Sequence, residues 1–575
     1  MGKIKFVGFG GLNERGKQCY ALTVNGKIYL FNCGLSTPVN AQLGIKKIIP
    51  DFNWIVENAN AVKGIFIGTP KYDNYAGLPY LLKYIPNLPI YVSDVGASII
   101  IGYFNYLNLT DKANYHRPNI KIMNPLITQH LGGVTITPFY LSNFLPKSFG
   151  FAINTPDGGI VYIDDFMISS NRNAAFEDQI FQINNFTKNN NLALMVGVGN
   201  VGINKGFTNP SHRTVDFFTD ILSENEEGRT LIACNDYDLY TIMTIASICS
   251  ERNRPFMIYS RSVNQTFQFL CKKNYFKNKK VNFIKDNDIM TTKNAVIVIT
   301  AAHQKLFNKI ESILNDEDPK FKILPTDYFV YAMHTVSGYE KLEATMFDHI
   351  VYSNAKKIIK LPKETITASA SVEDHKFLID LLRPIYAIPL NGLYMNFIQY
   401  RNAVSRSFIQ KANILMLSNG QMIEFDNGIL QKQSKHIKQQ LQFVNLTGTV
   451  DSGSASIFER EQMASDGVLL VDLLIDKQNK VVTHHNFSSV GVVNINEENT
   501  TIINGINETC LKLINENLQK EITDPTKPLN TKEFKYFIKK IFTKYYDKKF
   551  EKKPLVVTTL VFKKEKQEPF QTDED

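Results

Sequence analysis

GGLNERGKQCYALTVNGKIYLFNCGL, at Gly10–Leu35, places the runs CYALTV and KIYLFN on either side of Asn25-Gly26. Two apolar-rich runs joined by an Asn-Gly pair predict a tight hairpin, because both turn residues tolerate the positive φ that such turns need. The alternation reaches back to Lys3, so the chain opens as antiparallel sheet. Further on the pattern changes. Ala61–Ile67 reads as an apolar strand, Gly68–Gly77 as a loop, Leu78–Ile85 as helix-compatible and Ile90–Ser93 as the next strand. Hairpins followed by strand–loop–helix units imply a layered α/β domain with functional loops at its strand ends.

The 575 residues, 44% apolar and 21% charged, describe a globular chain of several domains. The longest nearly uncharged apolar run, around Leu192–Ile203, is shorter than the roughly 20 residues a membrane span requires. Met1 leads into Lys3 and Lys5 without the apolar region of a signal peptide, so a cytoplasmic protein without membrane attachment is expected. The six cysteines form no C-x-x-C pair, which argues against a zinc ribbon and a disulfide framework. A net charge of +9 favours an anionic partner but, spread over this length, does not identify one.

A second α/β region begins near Gly206, with strands expected at Thr230–Cys234, Val296–Thr300 and Tyr328–Ala332 and a helix at Leu239–Cys249. The organisation read from these shifts is a first domain over 1–205, an inserted domain over 206–355 and the completing part of the first domain over 356–432. A linker over 433–465, a C-terminal domain over 466–562 and a disordered tail over 563–575 follow. Within the C-terminal domain, Gly467–Ile475 is strand-like. Phe534, Phe537, Ile538, Ile541, Phe542 and Tyr545 fall at helical spacing, with Lys535, Lys539, Lys540, Lys544, Lys548 and Lys549 mostly on the other faces. Such a helix either docks with a solvated lysine face or contacts RNA phosphates.

Gly10–Leu35 and the segment LGIKKIIPDFNWIVENANAVKGIFIGTPKYDNYAGLPYLL at Leu43–Leu82 together resemble ribonuclease J. PDGGIVYIDDF at Pro156–Phe166, FTNPSHRTV at Phe207–Val215, LLRPIYAIPLNGLYM at Leu381–Met395 and NFSSVGVVN at Asn486–Asn494 continue the resemblance, in order and spacing, over almost the whole chain. It implies an α/β architecture: a metallo-β-lactamase αββα sandwich with an inserted β-CASP α/β domain and a small C-terminal α+β domain.

In the catalytic members of that family a His-x-His-x-Asp-His loop, two later histidines and an aspartate hold two zinc ions. Such a pair lowers the pKa of bound water and stabilises charge on phosphodiester oxygens. The corresponding positions here are Thr69, Lys71, Asp73, Asn74, Asn143, Asp165 and Asn391, so only the two carboxylates remain. No cofactor is expected and no catalytic residue is assigned. Lys71 either pairs with Asp73 or Asp165, replacing part of the metal charge, or swings into solvent. Two more family features are altered: an acidic position becomes Gly197, and a segment implicated in gripping RNA phosphate loses both histidines. Thr365, Thr367, Ser369 and Ser371 are left there as candidate hydroxyl donors to RNA.

The pattern looks like the second, catalytically degenerate ribonuclease J paralogue of low-GC bacteria such as mollicutes. The expected role is a noncatalytic subunit of RNA processing and decay, homo- or hetero-oligomeric, that associates with an active ribonuclease J and helps to bind RNA. The alternatives are a weak or rerouted metal-dependent ribonuclease (endonuclease/5′-exonuclease) using Asp73 and Asp165, and a stand-alone RNA-binding protein.

Overall fold

The structure is a computed structural model. It describes residues 3–38, 45, 47–110, 115–168, 174–187, 191–199, 206–208, 211–276, 280–302, 304–334, 338–362, 365, 369–431, 435–444, 450–451, 454–494, 496–522 and 529–563. The chain divides into two compact units, Met1–Ser452 and Gly453–Asp575.

In the first unit the opening hairpin forms as its sequence dictates. Asn25 and Gly26 take φ of 50° and 75°, and Tyr20 pairs with Phe31 and Val24 with Lys27. This hairpin sits in a nine-stranded sheet whose path is Ile429–Leu430, Gln421–Asp426, Lys3–Gly10, Cys19–Val24, Lys27–Phe31, Val62–Phe66, Pro89–Val92 and Asn119–Ile122; Lys435–His436 pairs with Gln421–Asp426 off that path. A six-stranded sheet runs Tyr386–Leu390, Asn191–Gly197, Gly158–Ile163, Ser148–Thr155, Val134–Leu141 and Gln129–Leu131. Aromatic residues from the two sheets pack into one core: Phe31 stacks on Tyr162 at 4.5 Å between ring centroids, and Phe66 meets Phe151 edge-on at 5.6 Å. The opposite face of the nine-stranded sheet is covered by a second core that includes Ile100, Phe104 and Leu107 of the helix Asp94–Thr110. Two sheets face to face with helices outside them form the αββα sandwich.

The inserted region is a parallel sheet in the order Phe256–Tyr259, Val296–Ala301, Thr230–Asn235, Tyr328–Tyr331 and Lys357–Lys360. All six residues of Thr230–Asn235 are buried, the mark of a parallel strand covered on both faces. Its last strand lies beyond the boundary expected at residue 355, because the short run KIIK carries too little alternation to register as a strand by itself. The stretch 433–465, expected as a linker, holds further pairing: Gln442–Val444 bonds to Lys47–Ile49 and Val450–Asp451, and Ser454–Asp466 is a helix. Polar composition concealed these elements. Pairing with a strand nearly 400 positions away has no local signature.

In the second unit Val481–Val490, Val468–Asp476 and Leu555–Phe562 form a three-stranded sheet, packed with the helices Glu497–Glu521 and Thr531–Phe550 around Leu469, Val471, Cys510, Ile538 and Phe542. Lys563, expected in the tail, donates its N–H to the Ile475 carbonyl at 3.0 Å, and 564–575 lie outside the described residues.

His375, on the helix Val372–Leu382, is 2% exposed and lies edge-on between Phe166 and Tyr400 in the first core. Burial pushes its pKa down from 6.5 to about 3. The native state therefore refuses a proton that the unfolded chain accepts, and stability falls as pH drops from 6.5 toward 3. Denaturant titrations at about pH 7.5 and pH 5 should show the native protein losing roughly 2 kcal/mol more than His375→Phe. Parallel pH dependence of the two proteins would refute this assignment.

Candidate functional site

The site is assembled where three separate segments meet at strand ends. The loop after Val62–Phe66 is pinned by its backbone: Asn74 and Asp73 carbonyls accept from Cys33 and Gln18 N–H at 2.7 and 3.1 Å, and Gly77 N–H donates to the Cys33 carbonyl at 2.9 Å. The approach is close enough that a Cβ at Gly34 would lie 1.6 Å from the Asp73 carbonyl oxygen. Glycine is needed there for space.

Asp164 is the centre of this arrangement. It is 3% exposed, and burial pushes its pKa up to about 6, opposed by hydrogen bonds from Tyr162 and Asn32. Its Oδ1 accepts from the Tyr162 hydroxyl and from Asn32 Nδ2 at 2.8 Å. Its Oδ2 accepts from the Thr69 N–H and Asn74 Nδ2, both at 3.3 Å. One carboxylate thereby ties both sheets of the sandwich to the loop. The sequence reading passed over Asp164 because the match to the family pattern fell on Asp165; the doubled aspartate of YIDDF was the available signal.

Around it, side chains at the positions that the resemblance matches to metal ligands hold one another. Asn74 donates to the Thr69 carbonyl at 2.7 Å and accepts from Gln18 Nε2 at 2.7 Å. Asn143 donates to Thr69 Oγ1 at 3.2 Å and to the Asp165 carbonyl at 3.0 Å, while its own oxygen accepts from Leu145 N–H and Ser148 Oγ. Lys71 Nζ bonds Asp165 Oδ2, with the two side chains 15% and 14% exposed. Burial works against the Lys71 ammonium, but the adjacent Asp165, with Asp73 and Asp164 behind it, more than offsets this and raises its pKa. Of the two orientations open to Lys71 from sequence, the paired one is found, with Asp165 as the bonded carboxylate and Asp73 adding its field.

Asn391 is placed against a different segment. At φ 50°, it donates its N–H to the Gly11 carbonyl at 2.7 Å and accepts from Gly16 N–H at 3.4 Å. Gly197, the former acidic position, has no room for a side chain, since a Cβ there would lie 1.8 Å from the Asp164 carbonyl oxygen. Restoring an acid would require the backbone to move.

These donors do not suit a zinc pair. Zinc takes imidazole, thiolate and carboxylate ligands, whereas this cavity presents no imidazole or thiolate among the described residues, and its carboxylates lie beside an ammonium and carboxamides already bonded to neighbours. Among the described residues no group of three or more His, Cys, Asp or Glu is arranged to hold a metal ion.

Of the candidate RNA hydroxyls, that of Ser371 has a structural duty. Ser371 is fully buried and caps the helix Val372–Leu382 in a capping box with Asp374, whose Oδ2 accepts from the Ser371 N–H at 2.9 Å; the single hydroxyl proton of Ser371 is shared between Asp374 Oδ2 and the Gly206 carbonyl. Ser371, expected as a hydroxyl donor to RNA, stands in this structure at a helix N-terminus. Ser369 is 3% exposed and its carbonyl accepts from Thr208, and the Thr365 carbonyl accepts from Thr214. Thr367 lies outside the described residues.

Residues 455–562 match the family model of the ribonuclease J C-terminal domain. Over 575 residues the chain is 36% identical to an uncharacterised protein of Mycoplasma genitalium, covering 98% of this chain and all of that one. It is 22% identical over 577 residues to ribonuclease J2 of Bacillus subtilis, covering 97% and 98% of the two chains. The chain belongs to the ribonuclease J family. The similarity to ribonuclease J of Helicobacter pylori is 21% over 560 residues, 96% of this chain and 79% of that one. A crystal structure of a protein of unknown function from Enterococcus faecalis has the same kind of fold, at 10% identity with a TM-score of 0.52 over 74% of this chain and all of that one. The sandwich, the inserted parallel sheet and the small C-terminal unit are therefore the metallo-β-lactamase, β-CASP and C-terminal parts of a ribonuclease J-like protein, a family membership consistent with RNA processing.

The Lys71–Asp165 pair yields a double-mutant test. Lys71→Met or Asp165→Asn alone strands a partly buried charge and should cost about 2 kcal/mol or more in urea denaturation. The double variant should recover a large part of that loss. Simple additivity of the two single costs would show that the pair is not coupled.

Proposed function

We propose that this ribonuclease J-like protein is a noncatalytic subunit: it binds no catalytic zinc, associates with an active ribonuclease J and contributes to holding RNA. The observation that carries this reading is the Lys71–Asp165 ion pair inside the former metal cavity. A divalent cation at that place would have to displace a bonded ammonium and then bind beside it, against Coulomb repulsion. The carboxamides of Asn74 and Asn143 turn N–H donors toward Thr69 and the Asp165 backbone, so they support the polar network rather than a hydrolytic water.

The fold is kept at some cost in specialised packing. Gly34 still permits a backbone approach that no larger residue would allow, although the chemistry such a loop serves in catalytic relatives has lost its ligands. A retained scaffold with a neutralised centre suits a protein whose surfaces do the work.

The purified chain should carry no stoichiometric zinc or manganese by elemental analysis and should leave RNA intact. Mixed with an active ribonuclease J from the same cell, it should form a complex of larger mass and change the cleavage rate or pattern. Stoichiometric metal, together with cleavage abolished by Asp73→Ala or Asp165→Ala, would instead make it a ribonuclease with a rebuilt site.

A further inference from the structure

The C-terminal unit bears a surface that the degenerate centre does not explain. On the helix Thr531–Phe550, Phe534, Ile538, Ile541, Phe542 and Tyr546 are buried in that unit's own core. At 3.6 residues per turn, Lys539, Lys540 and Lys544 fall on the outward side and Lys535 and Lys548 flank the apolar face, and all five are exposed. Tyr536 lies among them with 69% of its surface open.

This arrangement is unfavourable for an isolated helix. Lys535/Lys539, Lys540/Lys544 and Lys544/Lys548 are like-charged neighbours four residues apart, and such pairs destabilise a helix. The acids of the helix do little to relieve them: Asp547 is engaged with Lys553 at 3.6 Å, and Glu533 has no lysine three or four residues after it. The strip calls for a counter-charge from outside the helix. A membrane surface is disfavoured because the apolar face that would insert is already buried in protein. Closely spaced cations around one exposed aromatic ring are the elements by which proteins bind single-stranded nucleic acid: ammonium groups along the phosphates and a ring for a base to stack on.

We propose that the lysine face of Thr531–Phe550 binds the backbone of single-stranded RNA, with Tyr536 as a stacking platform. The face runs about 20 Å from Lys535 to Lys548, at about 1.5 Å per residue, enough for several nucleotides. The inference rests on the reading of the chain as an RNA-processing subunit and assigns that reading a contact surface.

The test uses the full chain and a labelled uridine-rich RNA of about 20 nucleotides, with affinity measured by anisotropy between about 50 and 200 mM salt. Replacing Lys535, Lys539, Lys540 and Lys544 together by glutamate should weaken binding at least tenfold. It should also flatten the logarithmic salt dependence by about 3, at about 0.7 per lost phosphate contact. The corresponding arginine variant should keep both, and Tyr536→Ala should lose about fivefold or more with the salt slope unchanged. Circular dichroism checks helicity; if the glutamate variant unfolds, the fourfold glutamine variant must show the same flattening. Unchanged affinity and slope in a folded variant would overturn the proposal, and so would unchanged RNA binding with loss of association with active ribonuclease J, which would make the face a protein interface. Association is read by gel filtration on the same samples. RNA binding lost on substitution supports the proposal even if no ribonuclease J complex forms, in which case the subunit reading alone fails.

Discussion

The site is organised by one buried carboxylate. Asp164 takes hydrogen bonds from Tyr162 on its own side of the sandwich, from Asn32 at the end of a strand in the facing sheet, and from Thr69 and Asn74 in the loop after Val62–Phe66. Burial raises its pKa to about 6, so the ionised form near neutral pH persists through this ring of donors. An unsatisfied carboxylate at this depth would cost several kcal/mol. The two sheets and the loop consequently keep their relative positions as long as all four donors stay in place.

Once that frame is fixed, the fates of the former ligand positions follow from local chemistry. Asn74 and Asn143 are close in size to the imidazoles the family uses, but they bring N–H donors that find oxygen acceptors within the cavity. Lys71 supplies a positive charge that lies beside Asp165 without a coordination shell. The side chains around Asp164 and Asp165 form a polar cluster whose members bond one another. Ser371, one of the hydroxyl positions singled out by the resemblance, serves as a helix cap in the completing part of the first domain.

Fold and chemistry depend on different residues in such a protein. The core consists of aromatic and aliphatic side chains on strand faces, such as Phe31, Phe66 and Tyr162, whereas hydrolysis would depend on a few loop ligands. Substitution at Thr69 or Asn74 leaves the packing of the sandwich untouched, provided the new side chains find hydrogen-bond partners, and here they do.

The sequence by itself determined the opening hairpin, the alternation of strands and helices, the buried strands of the inserted sheet and which side chains stand at the positions the resemblance matches to metal ligands. These are properties of neighbouring residues: the φ preferences of Asn25-Gly26, the periodicity of apolar side chains and the identity of each side chain. Only the tertiary structure decided that Lys71 bonds Asp165, that Asp164 rather than a surviving ligand is the hub, that Ser371 is committed to a helix end and that residues 442–444 pair with 47–49. Each of these joins segments far apart along the chain. A carboxylate's partners and a short strand's neighbours depend on where the packed sheets bring those segments together, and no local pattern of residues encodes that proximity.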